Sequence, residues 1–412
     1  ILRLKDYLSL KGDIFVSSAK GKNTIVIVTL KFTCFLVITV LMVPRGLAQS
    51  AGGLSLNASV LTGYDDNVLR RSAASSDRTI KFLPELKLKS LYGKHQFYFG
   101  YNGGFTSYSD NSSLNYDDHN LSLRALFDHS RRFNSELQLT YQDKIEQPGT
   151  TNAVSTLVTN EFNQFSNKNA LASFFYGSRK SIGQFVLAFD VDDREYSNNQ
   201  QEFRNVERQR IKGTMFYNLG LKTRVLFEAR VAAFDYTSEQ QLADQSNHEN
   251  TYFAGVEWQV TAKTSGIFKI GYQSKDFETQ QFSDLTGLSY ILNMDWSPFS
   301  YTQINVGARR ETKESAQLGV GGFLDTSYSI MMSHEMSAKT EFFASYFRSK
   351  EDITSSQSRT DRRAKINLGI AYRLNSWLIL ELDYRHQKRE SDIELLKFSA
   401  NAVELSLSST FK

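Results

Sequence analysis

From Gly53 to Phe411 the chain is written in a two-residue period. In its last stretch Val403, Leu405, Leu407 and Phe411 alternate with Glu404, Ser406, Ser408 and Thr410. Because successive strand side chains point to opposite faces, this segment has one apolar and one polar face. The runs before it repeat the pattern, with Leu378, Leu380, Leu382 and Tyr384 against Glu381, Asp383 and Arg385, and Ile366, Leu368, Ile370 and Tyr372 against Lys365, Asn367 and Arg373. No helical period of useful length interrupts it. Two architectures use such strands: a soluble sandwich with its apolar face against a second sheet, and a membrane barrel with that face in lipid and the polar face around a wet lumen.

The connections separate the two. Short ones, such as Tyr92 to His95, Asp128 to Arg132, Ser337 to Lys339 and Leu374 to Ser376, alternate with long polar ones such as Asp65 to Arg78, Lys144 to Asn163, Glu311 to Asp325, Lys350 to Arg362 and His386 to Ser399. That strict alternation fits an up-and-down antiparallel barrel with tight periplasmic turns and longer extracellular loops, whereas Greek-key crossovers would break it. The runs number about 18, within a range of 16 to 18, so the expected class is an all-β transmembrane barrel. Aromatic residues at run ends (Tyr92, Tyr176, Tyr217, Trp258, Trp296, Tyr301, Tyr372 and Trp377) fit an interfacial girdle. Pro84, inside the second run, removes a ladder donor and reads as a bulge.

Composition agrees. The mean hydropathy of −0.38 is too polar for a helical membrane protein but suits a barrel, where only alternate residues meet lipid. With 48 basic and 44 acidic residues there is no basic block, which argues against nucleic acid as a partner. Near the start, Lys20, Lys22 and Lys31 precede an apolar core from Phe32 to Val43, and small residues flank a cut after Ala48. This reads as a secretory signal peptide, the alternative being a membrane-anchoring helix. Residues 1–48 are therefore expected to be an N-terminal extension and signal peptide that is removed, and 49–412 the barrel. The segment before Lys20 is long for such a signal, and the chain opens on Ile1, which reads as an extended or incomplete reading frame. The single cysteine, Cys34, lies in the apolar core with no lipobox around it, so the processed chain would carry no thiol, disulfide or cysteine metal site.

The polar faces supply candidate lumen charges: Arg208, Arg210 and Lys212, Arg224 and Arg230, and Arg363, Lys365 and Arg373. Lys81, Glu85, Asp190, Asp192, Glu381 and Asp383 accompany them. A basic stripe in a lumen attracts an anionic solute such as an acidic polysaccharide, while the plainer reading is that these charges pair with one another. Inner aromatics such as Tyr98, Phe216 and Phe234 either offer flat faces to sugar rings or fill space. Candidate rim acids, Asp65 and Asp66, Asp117 and Asp118, read as solvated strand ends or as hard ligands for a divalent cation.

The opening run ending Gly63-Tyr64-Asp65-Asp66-Asn67-Val68-Leu69-Arg70, the closing run Leu405 to Phe411 and the signal segment together resemble the putative β-barrel porin 2 family. The resemblance implies an outer-membrane barrel often encoded with exopolysaccharide or capsule biosynthesis genes. It also implies a role in polymer export beside other export proteins, and a terminal aromatic, Phe411, read by the barrel assembly machinery. Lys412 departs from the family's pattern by following that aromatic. The expected function is thus a channel in the bacterial outer membrane, embedded in its lipid and needing no cofactor. A structural or adhesive barrel without an open pore is the alternative. A barrel hydrolase is the weaker rival, since neither Gly-x-Ser-x-Gly nor His-Glu-x-x-His occurs, and Asp118-His119 and Asp128-His129 place their members on opposite faces. The chain is expected not to be an enzyme.

Overall fold

The computed structural model describes residues 52–150, 161–237, 244–261, 263–353 and 358–411. The signal segment, Cys34 and Lys412 lie outside the described residues. Eighteen strands, β1 (Gly53–Asp65) to β18 (Phe398–Phe411), form one antiparallel sheet in which each strand pairs with its sequence neighbours. Closure comes from β1, which pairs with β2 and also with β18, Leu56 opposite Phe411 and Asp65 opposite Ala402. A closed sheet has no edge, so every strand is paired with a neighbour on both sides.

The two faces divide as the period-two pattern requires. On β18 Val403, Leu405 and Leu407 are 46%, 43% and 43% exposed on the outer wall, while Ser406 is buried inside. At the short-turn end Tyr92, Tyr176, Tyr217, Trp296, Tyr301, Tyr372 and Trp377 stand exposed, and Trp377 stacks on Phe411 with ring centroids 6.0 Å apart. Together these rings form the girdle expected of a membrane barrel.

Two sequence expectations need correction. Pro84 forms no bulge. It sits in register opposite Ala58, and on its other side the β2–β3 ladder skips from Phe82↔Phe105 to Glu85↔Asn102 without a shift. Gly103 lies where the skipped rung would be, and a Cβ there would stand 3.1 Å from the Pro84 ring, so the glycine admits the ring and the cost is confined to lost ladder bonds. The long loops are also shorter than the polarity of the sequence implies. β13 continues to Glu314, β17 to Glu390, and β15 and β16 run to Ile353 and from Arg359. Above the apolar band both faces are polar, so alternation disappears while the ladder continues.

Candidate functional site

The segment following β5 (Phe133–Ile145) leans across the long-loop end of the barrel. At its root the Glu146 carboxylate takes two hydrogen bonds from the Arg204 guanidinium, at 2.7 and 3.0 Å, and one from Asn163 Nδ2 at 2.8 Å. Arg204 closes a short 3-10 turn (Glu202–Arg204) between β7 (Gly183–Tyr196) and β8 (Val206–Asn218), and its guanidinium lies over the Tyr196 ring. Burial alone would raise the Glu146 carboxyl, but the Arg204 hydrogen bonds and charge outweigh it and hold the group below its ordinary range. Four residues on, the segment meets the far wall: Arg363 Nη1, on β16 (Arg359–Arg373), donates to the Thr150 carbonyl at 2.9 Å and to the Gly149 carbonyl at 3.4 Å. Gly149 has φ +77°, and a Cβ there would lie 2.7 Å from the Phe398 ring and 3.2 Å from Arg70 Cγ, so only glycine fits.

Under this segment lies a cavity of about 430 Å³. Its lining includes the cations Arg70, Lys81, Arg363, Lys365 and Arg385 and the carboxylates of Asp65 and Glu404. Arg70 pairs bidentately with Asp65 at 2.7 Å, Glu404 is shared between Lys81 and Arg385, and Arg363 rests against the buried Glu351. Three carboxylates thus serve four of these five cations. Lys365 is the one without a hydrogen-bond or ion-pair partner among the described residues. Beside it, directly across the β15–β16 ladder, Phe347 presents a ring that is 38% exposed to the same cavity. Lys365 and Arg385 also line a second cavity of about 310 Å³ further down the wall, together with Phe343, Asn367 and Asp383. The two cavities form a cationic path along β15–β18.

Most of the remaining lumen cations face a different wall and are neutralised there. Arg210 and Arg208 reach Asp190 at 2.7 and 3.3 Å, Arg230 and Lys269 reach Glu228 at 2.6 and 3.0 Å, and Arg224 reaches Glu257 at 2.7 Å while covering the Phe216 ring. Lys212 has no such partner among the described residues. Phe234 lies under Lys275, and Tyr98 under Lys89. Arg373 donates to the Ala338 carbonyl at 3.1 Å, at the short-turn end.

The four rim acids do not converge. Asp65 holds Arg70, Asp66 accepts the Asn401 backbone N–H and Nδ2 at 2.7 Å each, Asp118 accepts the Ile145 N–H at 3.0 Å, and Asp117 is exposed. Among the described residues no group of three His, Cys, Asp or Glu side chains is placed to hold a metal ion. Alternation alone would have put Phe347 and Arg385 beside Lys365. Nothing local to the sequence around Arg70, Glu146 or Thr150 signals that they reach the same place.

A closed antiparallel barrel with an apolar, aromatic-ended outer wall and a charged interior defines an outer-membrane porin-like β-barrel. The chain belongs to the Putative beta-barrel porin 2 family, whose model matches residues 51–411. Among solved structures it is similar to OccAB3 of Acinetobacter baumannii (11% identity, 88% of this chain and 99% of that one, TM-score 0.45). It is also similar to OpdK from Pseudomonas aeruginosa (10%, 87% and 99%, 0.47) and to the FrpB iron transporter from Neisseria meningitidis (8%, 89% and 84%, 0.49). No curated protein sequence matches it.

Proposed function

We propose that the protein is a bacterial outer-membrane channel that conducts an acidic saccharide chain, as a component of exopolysaccharide export. The observation that carries this reading is Lys365, a lumen cation with no carboxylate of its own, set beside the exposed Phe347 ring. A carboxylated sugar presents an anionic group and an apolar ring face, and the pair offers a complement to each. Arg385 below and Arg363 above extend the positive field along the wall, so that a flexible polyanion is held by summed charge and can move from contact to contact. The reading assigns the chain no catalytic step.

A closed structural or adhesive barrel is the second reading, favoured by the Glu146–Thr150 segment lying across the mouth. Planar-bilayer recording separates the two: discrete, anion-selective current steps blocked by an acidic oligosaccharide support the channel, and silence supports the closed barrel. Unchanged secreted polymer in a strain lacking the gene would remove the export role.

A further inference from the structure

Above the apolar band the outer wall changes character around the barrel. On β15 (Thr340–Ile353) the outward series Phe342, Ala344, Tyr346 is followed by Arg348 and Lys350. On β16 the series Tyr372, Ile370, Leu368, Ile366 is followed by Ala364 and then Arg362, and on β17 (Leu378–Glu390) Tyr384 and His386 are followed by Lys388. Register brings these ends together. Ala364 stands directly opposite Arg348 on one side and Lys388 on the other, and Lys350 is opposite Arg362. Four exposed cations therefore ring one alanine, within the 4.5 to 8 Å spacing of direct and diagonal strand neighbours. Lys350 bonds Asp352 and Lys388 bonds Glu390, each at 2.8 Å, and Glu390, directly opposite Arg362, feels the charge of Arg362 and Arg348 without an ion pair to either among the described residues, so four cations face two carboxylates. The outward residues of the opposite wall include the acids Asp143, Asp193, Glu207 and Asp235, with Lys168 bridging Asp193 and Glu195.

We propose that this patch binds the phosphate of a phosphorylated lipid in the leaflet at the long-loop end. An apolar band about 25 Å tall ends here, so the patch meets headgroups and not acyl chains. The small Ala364 side chain stands between two guanidiniums that are engaged in no ion pair among the described residues, and guanidiniums bind phosphate by paired, charge-assisted hydrogen bonds. Lipid is favoured over a second copy of the chain because the cations continue the same outward face as the apolar residues beneath them. One amphiphile can cover both. The proposal rests on the barrel's membrane-facing wall and is independent of what passes through the lumen.

The test uses the folded full chain in a neutral detergent, titrated with bis-phosphorylated lipid A and with the same lipid after its phosphates are removed. The phosphorylated form is expected to bind at least about tenfold tighter. Arg348→Gln with Arg362→Gln should abolish that preference, while Asp193→Asn with Glu207→Gln should leave it intact. Equal binding of the two lipids by the unaltered protein would overturn the proposal, and this comparison needs no variant to fold. A salt-sensitive dimer that the double arginine variant abolishes would overturn it too, by assigning the patch to the acidic wall of another copy.

Discussion

Arg363 donates a hydrogen bond to the Thr150 carbonyl 2.9 Å away, joining a segment rooted on β5 to a strand on the far side of the mouth. The same guanidinium faces Glu351, whose side chain is wholly buried. One residue thereby latches the inward segment and neutralises the wall beneath it.

Replacing Arg363 with alanine removes both contacts. Taking one partner from a buried pair costs about 3 to 5 kcal/mol, so the variant is expected to lose heat-stable migration on gels. Arg363→Ala combined with Glu351→Gln, which removes the stranded carboxylate while Arg389 keeps Asp361, should recover most of that stability yet keep the segment released. Larger conductance steps than wild type, together with faster proteolysis between β5 and β6, are the expected readouts.

Acid should release the other end. The Glu146 carboxyl lies below its ordinary range in the folded protein because Arg204 outweighs the effect of burial. A depressed carboxyl contributes stability that is complete above the unfolded value and disappears as pH falls through the folded one. The latch is thus intact at neutral pH and lost as the pH falls below the ordinary carboxylate range. Glu146→Gln should show at neutral pH the open behaviour that wild type shows in acid, at a cost of about 1 to 3 kcal/mol in local stability. Current recorded against pH for both forms checks this.

Charge reversal at Lys365 addresses selectivity. Lys365→Glu turns the cavity's unpartnered cation into an anion and should lower the anion-to-cation permeability ratio several-fold, read as a shift in reversal potential. Arg210→Gln, whose charge Asp190 already balances, should shift it much less. Equal shifts would mean that selectivity is not set on the β15–β18 wall.

The outer wall gives the most direct test of facing. Leu405 is exposed among apolar neighbours on β18, and an arginine at mid-height on a lipid-facing wall costs about 2 to 4 kcal/mol. Leu405→Arg should fail to form the heat-modifiable species, whereas Ser406→Arg, on the inner face, should assemble better.

Strand facing was legible at once in residues such as Val403, Leu405 and Leu407, because the pleat forces alternation whatever the partner strand. Strand number followed from the polar punctuation between runs. Pro84 misled because ring and missing donor are local facts, whereas the room to keep register comes from Gly103 on the neighbouring strand. The loop limits misled because polar ladders above the membrane lose the period that marks them.

The amino-acid sequence by itself determined a closed barrel, its inner and outer faces and its two unlike ends, since all of these follow from a two-residue period and from the lengths of polar connections. Only the tertiary structure decided which charges remain uncompensated. Arg208 and Lys365 look alike on their strands, but the first meets Asp190 and the second meets no carboxylate. Likewise Arg348, Arg362 and Lys388 become one patch only when three strands are laid side by side. The physical reason is that pairing depends on distances across the sheet and across the mouth, between residues far apart along the chain.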